Sequence, residues 1–160
     1  MTQDVRSHKV VVLAHCVLNQ NSRVEGLARY PAVVKEVVDF LIKHDIGIVQ
    51  MPCPEISYMG SVRKIRTKEQ YDTLRFRSLC RQIACSTVRL IQEYLHNGVR
   101  VLAVLGVEGS PSCGVKEPSG ILIEELKKKL EKRGITVPFH ELNFKAIAAD
   151  VKWLKKTVKA

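Results

Sequence analysis

Val99-Arg100-Val101-Leu102-Ala103-Val104-Leu105 runs straight into Gly106-Val107-Glu108-Gly109-Ser110-Pro111-Ser112-Cys113-Gly114, and the join between these two halves decides the fold. The first half is the most apolar strand-like run in the chain. The second packs three glycines, a proline, two serines and a cysteine into nine residues. Glycine and proline set backbone geometry that other residues resist, so this loop is shaped rather than slack. A shaped loop just past a buried strand is where α/β proteins place their chemistry.

The same arrangement occurs twice upstream. Val10 to Ala14 (VVVLA) leads into His15-Cys16, and Ile46 to Met51 (IGIVQM) leads into Pro52-Cys53-Pro54-Glu55. Continuous apolar, β-branched runs are expected of strands covered on both faces. A short fourth strand is expected over Ile135 to Phe139. Between the strands lie helical patterns. Pro31 opens one, with Val34, Val37, Val38 and Leu41 at helical spacing and a stop near His44-Asp45. The prolines flanking Cys53 are expected to end strand pairing and bar an immediate helix, leaving Ser57 to Arg66 as a loop over the site. Thr67-x-x-Gln70 has the form of a capping box before a long helix through Leu79, Ile83, Ile91 and Leu95, closing at Asn97-Gly98. Ser119-Gly120 starts another helix, which stops at Gly134, and Asn143 is the expected cap of the last, carrying Ile147, Val151, Leu154 and Val158 on one face. This alternation predicts one domain over residues 1–160, an α/β fold with a Rossmann-like parallel sheet and helices on both faces.

Composition narrows the class of protein. An apolar share of 46% with 26% charged residues, over 160 residues, suits a soluble globular chain. No run nears the roughly 18 apolar residues that a bilayer crossing needs, so no membrane partner is expected. Met1 to Lys9 is polar and lacks a signal-peptide core, which points to the cytoplasm. The net charge of +10 is uneven, with ten basic and three acidic residues from Lys127 to Ala160. That quarter reads as a solvated helical surface, the alternative being a footprint for RNA or a phosphorylated substrate. No aromatic residues interleave there to stack on bases.

Five cysteines, an odd number, in a chain without a secretion signal favour metal binding or catalysis over disulfides. None forms a Cys-x-x-Cys pair, which argues against a zinc finger or ribbon. Cys80 and Cys85 fall inside the long helix and read as packing residues. Cys16, Cys53 and Cys113 each follow a parallel strand and so share one edge of the sheet. Three convergent thiolates leave one coordination position open. Zinc on three cysteines with water or His15 suits this, and so does a 4Fe-4S cluster with one open iron. Spacing leaves both standing.

Cys16 with the loop ending in Val24-Glu25-Gly26, then Cys53-Pro54-Glu55, then Ser110-Pro111-Ser112-Cys113-Gly114, resemble in order and spacing the three motifs of the DUF523 family, which includes the thiouracil desulfidases. His15-Cys16-Val17-Leu18-Asn19-Gln20-Asn21 and Glu108-Gly109 are similar to a thiouracil-desulfidase-related (TudS-related) branch. The best-studied desulfidases have an Arg-Tyr-Asp-Gly-like turn where this chain has Arg23-Val24-Glu25-Gly26. The resemblance implies an oxygen-sensitive 4Fe-4S cluster on Cys16, Cys53 and Cys113 with the fourth iron open, matured by the cluster-assembly machinery. It implies non-redox removal of sulfur from a small thiolated pyrimidine or nucleoside such as 2-thiouracil, the sulfur passing to that iron as hydrosulfide. Glu55 and Ser110 fall at the family's catalytic positions.

The chemistry suits these residue types. Exchanging C=S for C=O needs a water, an acceptor for its proton and a sink for sulfur. Glu55 offers the acceptor, the alternative being an exposed loop carboxylate or a partner for Arg63 or Arg66. Ser110 offers a hydrogen bond to substrate, the alternative being a turn serine that caps the loop backbone. Arg23, Glu25, Glu108 and Ser112 are candidate substrate contacts. Two other readings keep the cluster: a desulfidase acting on thiolated tRNA nucleosides, and a non-catalytic cluster or sulfur carrier. A nucleotide-binding module fits less well, because the loop is neither a P-loop nor a Gly-x-Gly-x-x-Gly fingerprint.

Overall fold

The computed structural model describes residues 2–160. Four strands, β1 (Lys9–Leu13), β2 (Gly47–Gln50), β3 (Arg100–Val107) and β4 (Phe139–Leu142), form one parallel sheet in the order β2-β1-β3-β4. Seven helices connect and flank them: α1 (His15–Leu18), α2 (Lys35–Lys43), α3 (Pro54–Met59), α4 (Lys68–Tyr71), α5 (Leu74–His96), α6 (Ile121–Lys132) and α7 (Ile147–Lys159). The expected α/β architecture is therefore what the chain adopts. Right-handed crossovers send α2 to one face, and α5 and α6 to the other, because the chain steps from β1 to β2 in one direction and then back past β1 to β3. The packing agrees, α2 lying against α7 and α5 against α6.

The strand order reverses at β1, so the loops after β1 and β3 leave in opposite directions and open a crevice between them. Register puts this crevice at one level. Leu13 of β1 pairs with Gln50 of β2 and with Leu105 of β3. The core beneath is continuous, from Val11, Val12, Leu13, Val104 and Leu105 in the sheet to Phe76, Cys80, Ala84 and Val88 of α5 and Ile121, Leu122 and Leu126 of α6.

Several local expectations are corrected. The fourth strand begins at Phe139 rather than Ile135, since Pro138 has no N–H for the ladder and contributes only its carbonyl, which accepts Val104 N at 2.8 Å. Pro31 opens no helix: Gln20 N–Ala32 O (2.7 Å) and Val34 N–Val17 O (2.9 Å) hold that stretch against the first loop until α2 starts at Lys35. Pro54 does not delay a helix either. It occupies the first turn of α3, where its fixed φ and missing N–H cost nothing. The Thr67 capping box is present but caps only α4, and Thr73 then caps α5 through Phe76 N at 3.1 Å. Asn143 shapes the turn before α7, accepting from Lys145 N at 3.0 Å, and α7 itself begins at Ile147. Among the described residues no helix is long and apolar enough to cross a membrane.

Candidate functional site

Cys16 and Cys53 each lie three positions past register-matched strand ends, Leu13 and Gln50. Cys113 is farther along its chain, but its loop doubles back. Val107 N donates to Cys113 O (2.9 Å), and Gly114 N donates to Ser110 O (3.0 Å). Two glycines permit the tight return. A Cβ on Gly106 would stand 2.1 Å from Cys113 O, and one on Gly120 would stand 2.2 Å from the Ser112 carbonyl carbon. The first turn of α6 donates back into the loop, Leu122 N to Ser112 O at 3.0 Å. Glu141 of β4, buried, accepts Val115 N and Lys116 N at 2.8 and 3.1 Å and so fastens the outgoing limb.

One small cavity results, of about 30 Å³. Cys16, Cys53 and Cys113 all line it, together with Glu55, Ser110, Ser112, Arg23, Arg63, His15 and Ser22. The sequence-predicted thiols, Glu55, Ser110, Ser112 and Arg23 are thus brought together. Glu108 is not part of this cavity. It lies on the adjoining hollow, which it shares with Arg23, Arg29 and Phe144. Glu25 is exposed and lines neither. Cys80 is buried in α5 and Cys85 half-buried, as packing residues would be.

Within the cavity the two serines have different partners. Ser110 Oγ accepts Cys113 N (3.0 Å) and Ser112 N (3.3 Å), so it caps the loop backbone. Ser112 Oγ donates to Glu55 Oε2 at 2.6 Å and lies 3.7 Å from Cys113 Sγ. Glu55, only 8% exposed, also faces Arg63, whose Nε is 3.7 Å from Oε1. Arg63 arrives from residues 60–66, the part of the expected Ser57–Arg66 loop that remains once α3 runs to Met59, and is anchored by Nη2 to Ser22 O at 2.9 Å. Cys53 caps α3, its sulfur accepting Ile56 N at 3.5 Å. Sequence reasoning gave Arg63 only as a possible partner of Glu55 and missed Tyr71, fully buried beside this pair. Nothing local marks Tyr71, whose place depends on α4 folding under the loop.

Electrostatics follow from burial. Desolvation pushes the Cys16 thiol up to about 11, opposed by the nearby Arg23 charge. Burial likewise raises Cys53, and raises Cys113 well above the ordinary thiol range, with the other two thiols and Glu55 adding to the effect. Cys113 is thus near enough to Cys16, Cys53 and Glu55 to be affected by all three. A bound cation would reverse the direction, since coordination stabilises the thiolate.

Among the described residues no group of three or more His, Cys, Asp or Glu side chains is gathered as for a metal ion. The donors that do line the cavity, three soft thiols with positive guanidinium groups beside them, are of the kind that would hold an iron–sulfur cluster.

Fold and site together define a parallel α/β protein with three strand-end thiols and a buried Glu–Ser pair at its switch point. The chain belongs to the same family as the uncharacterized protein MJ0003 of Methanocaldococcus jannaschii, to which it is 37% identical over 157 residues, 97% of this chain and 100% of that protein. No family model and no solved structure matches.

Proposed function

We propose that this chain is an iron–sulfur-dependent desulfidase of the DUF523 kind, converting C=S to C=O in a small thiolated compound such as 2-thiouracil. The observation that carries the reading is the 2.6 Å hydrogen bond between Ser112 and the buried Glu55 carboxylate, inside a cavity walled by Cys16, Cys53 and Cys113. Glu55 accepts the proton of the attacking water at a carboxylate oxygen, and Ser112 holds that carboxylate in one orientation. Ser110 keeps the Cys113 loop in shape. The loop carrying Arg63 limits bulk water over the reacting carbon. A 4Fe-4S cluster held by the three cysteines would supply an open thiophilic iron, which ordinary side chains cannot. A cluster requiring three free thiolates also fits a reducing cytoplasm. A non-catalytic cluster or sulfur carrier would need the cysteines but has no use for the Glu55–Ser112 pair.

The deciding experiment is iron and acid-labile sulfide content after anaerobic purification, followed by sulfide release from 2-thiouracil and thiouridine. About four of each per chain is expected. Cys53→Ala should lose the cluster, whereas Cys80→Ala should keep it. Zinc instead of iron, or no metal after anaerobic reconstitution, would discard the proposal.

A further inference from the structure

Helix α4 has only four residues, yet a full capping box closes it: Thr67 Oγ1 accepts Gln70 N at 3.2 Å, and Gln70 Oε1 accepts Thr67 N at 2.8 Å. Of its residues Tyr71 alone is buried, and it is buried completely. What this turn adds to the core is therefore one ring. That ring is fixed from three sides, by Phe76 at 4.8 Å and Tyr58 at 6.4 Å between centroids and by the Arg66 guanidinium over its face at 5.8 Å. Phenylalanine would make all three contacts. The hydroxyl is what packing does not explain, for it is a buried polar atom with no hydrogen-bond partner among the described residues. Such a group costs stability, and in a folded protein it calls for a reason.

Glu55 and Arg63 are the ionisable side chains beside this hydroxyl. Burial, with the Glu55 charge adding to it, pushes Tyr71 above the ordinary phenol range, so at neutral pH the group keeps its proton. A guanidinium has no acceptor to offer, which leaves Glu55 to receive that proton in a hydrogen bond. The carboxylate has an oxygen to spare. Ser112 donates to Oε2 at 2.6 Å, whereas Oε1 has only Arg63 Nε, at 3.7 Å and too far for a hydrogen bond. We propose that Tyr71 is a positioning residue for Glu55, its hydroxyl closing onto Oε1 while Ser112 holds Oε2. Hydrogen bonds around catalytic groups are often long in the empty site and tighten when substrate binds. Tied at both oxygens, the carboxylate cannot turn, and each oxygen keeps a lone pair for the proton of the attacking water. The part Tyr71 plays in turnover rests on the desulfidase reading; its contact with Glu55 does not.

The test labels the four tyrosines of the anaerobically reconstituted chain with meta-fluorotyrosine and follows them by fluorine NMR. The Tyr71 resonance is the one lost in Tyr71→Phe. Glu55→Gln should shift it and leave that of Tyr94, near the far end of α5, in place. An unmoved Tyr71 resonance overturns the contact, and the proposal with it. Tyr71→Phe should keep the parent's iron content and an unfolding midpoint equal to or above the parent's, because it removes an unpaired group. Its kcat for sulfide release should fall about tenfold, with KM within about twofold of the parent's. A kcat equal to the parent's, whatever the midpoint, would make Tyr71 a packing residue and overturn the proposal. A shifted resonance in a chain whose parent releases no sulfide would sink the desulfidase reading instead and leave Tyr71 as the second support of the Glu55 carboxylate.

Discussion

Ser110 and Ser112 sit two positions apart in one loop, yet one accepts two backbone N–H groups while the other donates to a buried carboxylate at 2.6 Å. The family resemblance points to Ser110 for chemistry, and the hydrogen bonds give the contact with Glu55 to Ser112. Kinetics normalised to bound iron separate these roles. Ser112→Ala should leave iron content near that of the parent and lower sulfide release per cluster, because Glu55 loses the hydroxyl that orients it. Ser110→Ala should do the reverse, lowering iron retention while turnover per remaining cluster stays close to the parent, because Cys113 N loses its acceptor. The opposite pattern would return the catalytic role to Ser110. Glu55→Gln is isosteric and keeps the Ser112 contact in reach, so its cluster should persist while turnover falls about 10²–10⁴-fold, the usual worth of a positioned general base. Turnover near the parent level would place the base elsewhere.

At the scale of elements, the loop between β3 and α6 works as a clamp closed by glycine. At Gly120 a methyl group would meet the Ser112 carbonyl carbon and oxygen and Cys113 N, all within 2.6 Å and all backbone. Backbone cannot rotate aside, so Gly120→Ala should push Ser112 and Cys113 outward together. The expected result is loss of iron and destabilisation of about 1–3 kcal/mol, read from iron content and thermal unfolding; full iron content would show that the clamp is not what places Cys113. This loop was legible in the sequence because its glycines and proline stand directly after an unbroken apolar strand. So were β1, β2, β3 and the long helix, whose apolar patterns are strong and local. What was not legible was settled by contacts across the chain. The start of α2 depends on Val34 bonding to Val17, and the start of β4 depends on Pro138 lending a carbonyl to β3. The cysteines were readable because each follows a strand, and strand ends in a parallel sheet share an edge. The Glu55–Ser112 contact was not, since it joins residues 57 positions apart with no pattern to announce it, whereas Arg63, eight residues from Glu55, was open to that pairing from the sequence.

For the molecule as a whole, the +10 charge makes its few buried or clustered carboxylates decisive. The face where α5 packs on α6 is laced by such a cluster. Arg77 of α5 reaches Asp72 at 2.9 Å, Glu125 at 3.0 Å and Glu124 at 3.3 Å, and Lys68 of α4 and Lys128 of α6 each reach Glu124 at 3.1 Å. Burial acts to raise Glu124, but hydrogen bonds from Lys128 and Lys68 and the charge of Arg77 outweigh it and hold the carboxyl at about 2 against an ordinary 4.5. Asp72 is also lowered, chiefly by its hydrogen bonds from Arg77. A carboxyl depressed in the folded state contributes stability above its unfolded pKa and loses that contribution as pH falls through the folded one. The tie between α4, α5 and α6 should therefore be intact at neutral pH, weaken below about pH 4.5 and be gone near pH 2. Because these groups are partly exposed, the contribution of Glu124 is set at about 1 kcal/mol after screening. Glu124→Gln should then lower the unfolding midpoint by about 2–4 °C at pH 7, by less at pH 4 and by nothing near pH 2. It should lose much of its effect in high salt, since exposed pairs are screened. A variant whose deficit stayed constant from pH 7 to pH 2 would show that Glu124 acts by packing. The acid sensitivity of the fold would then come from general repulsion among its 26 basic residues once the carboxylates are neutral.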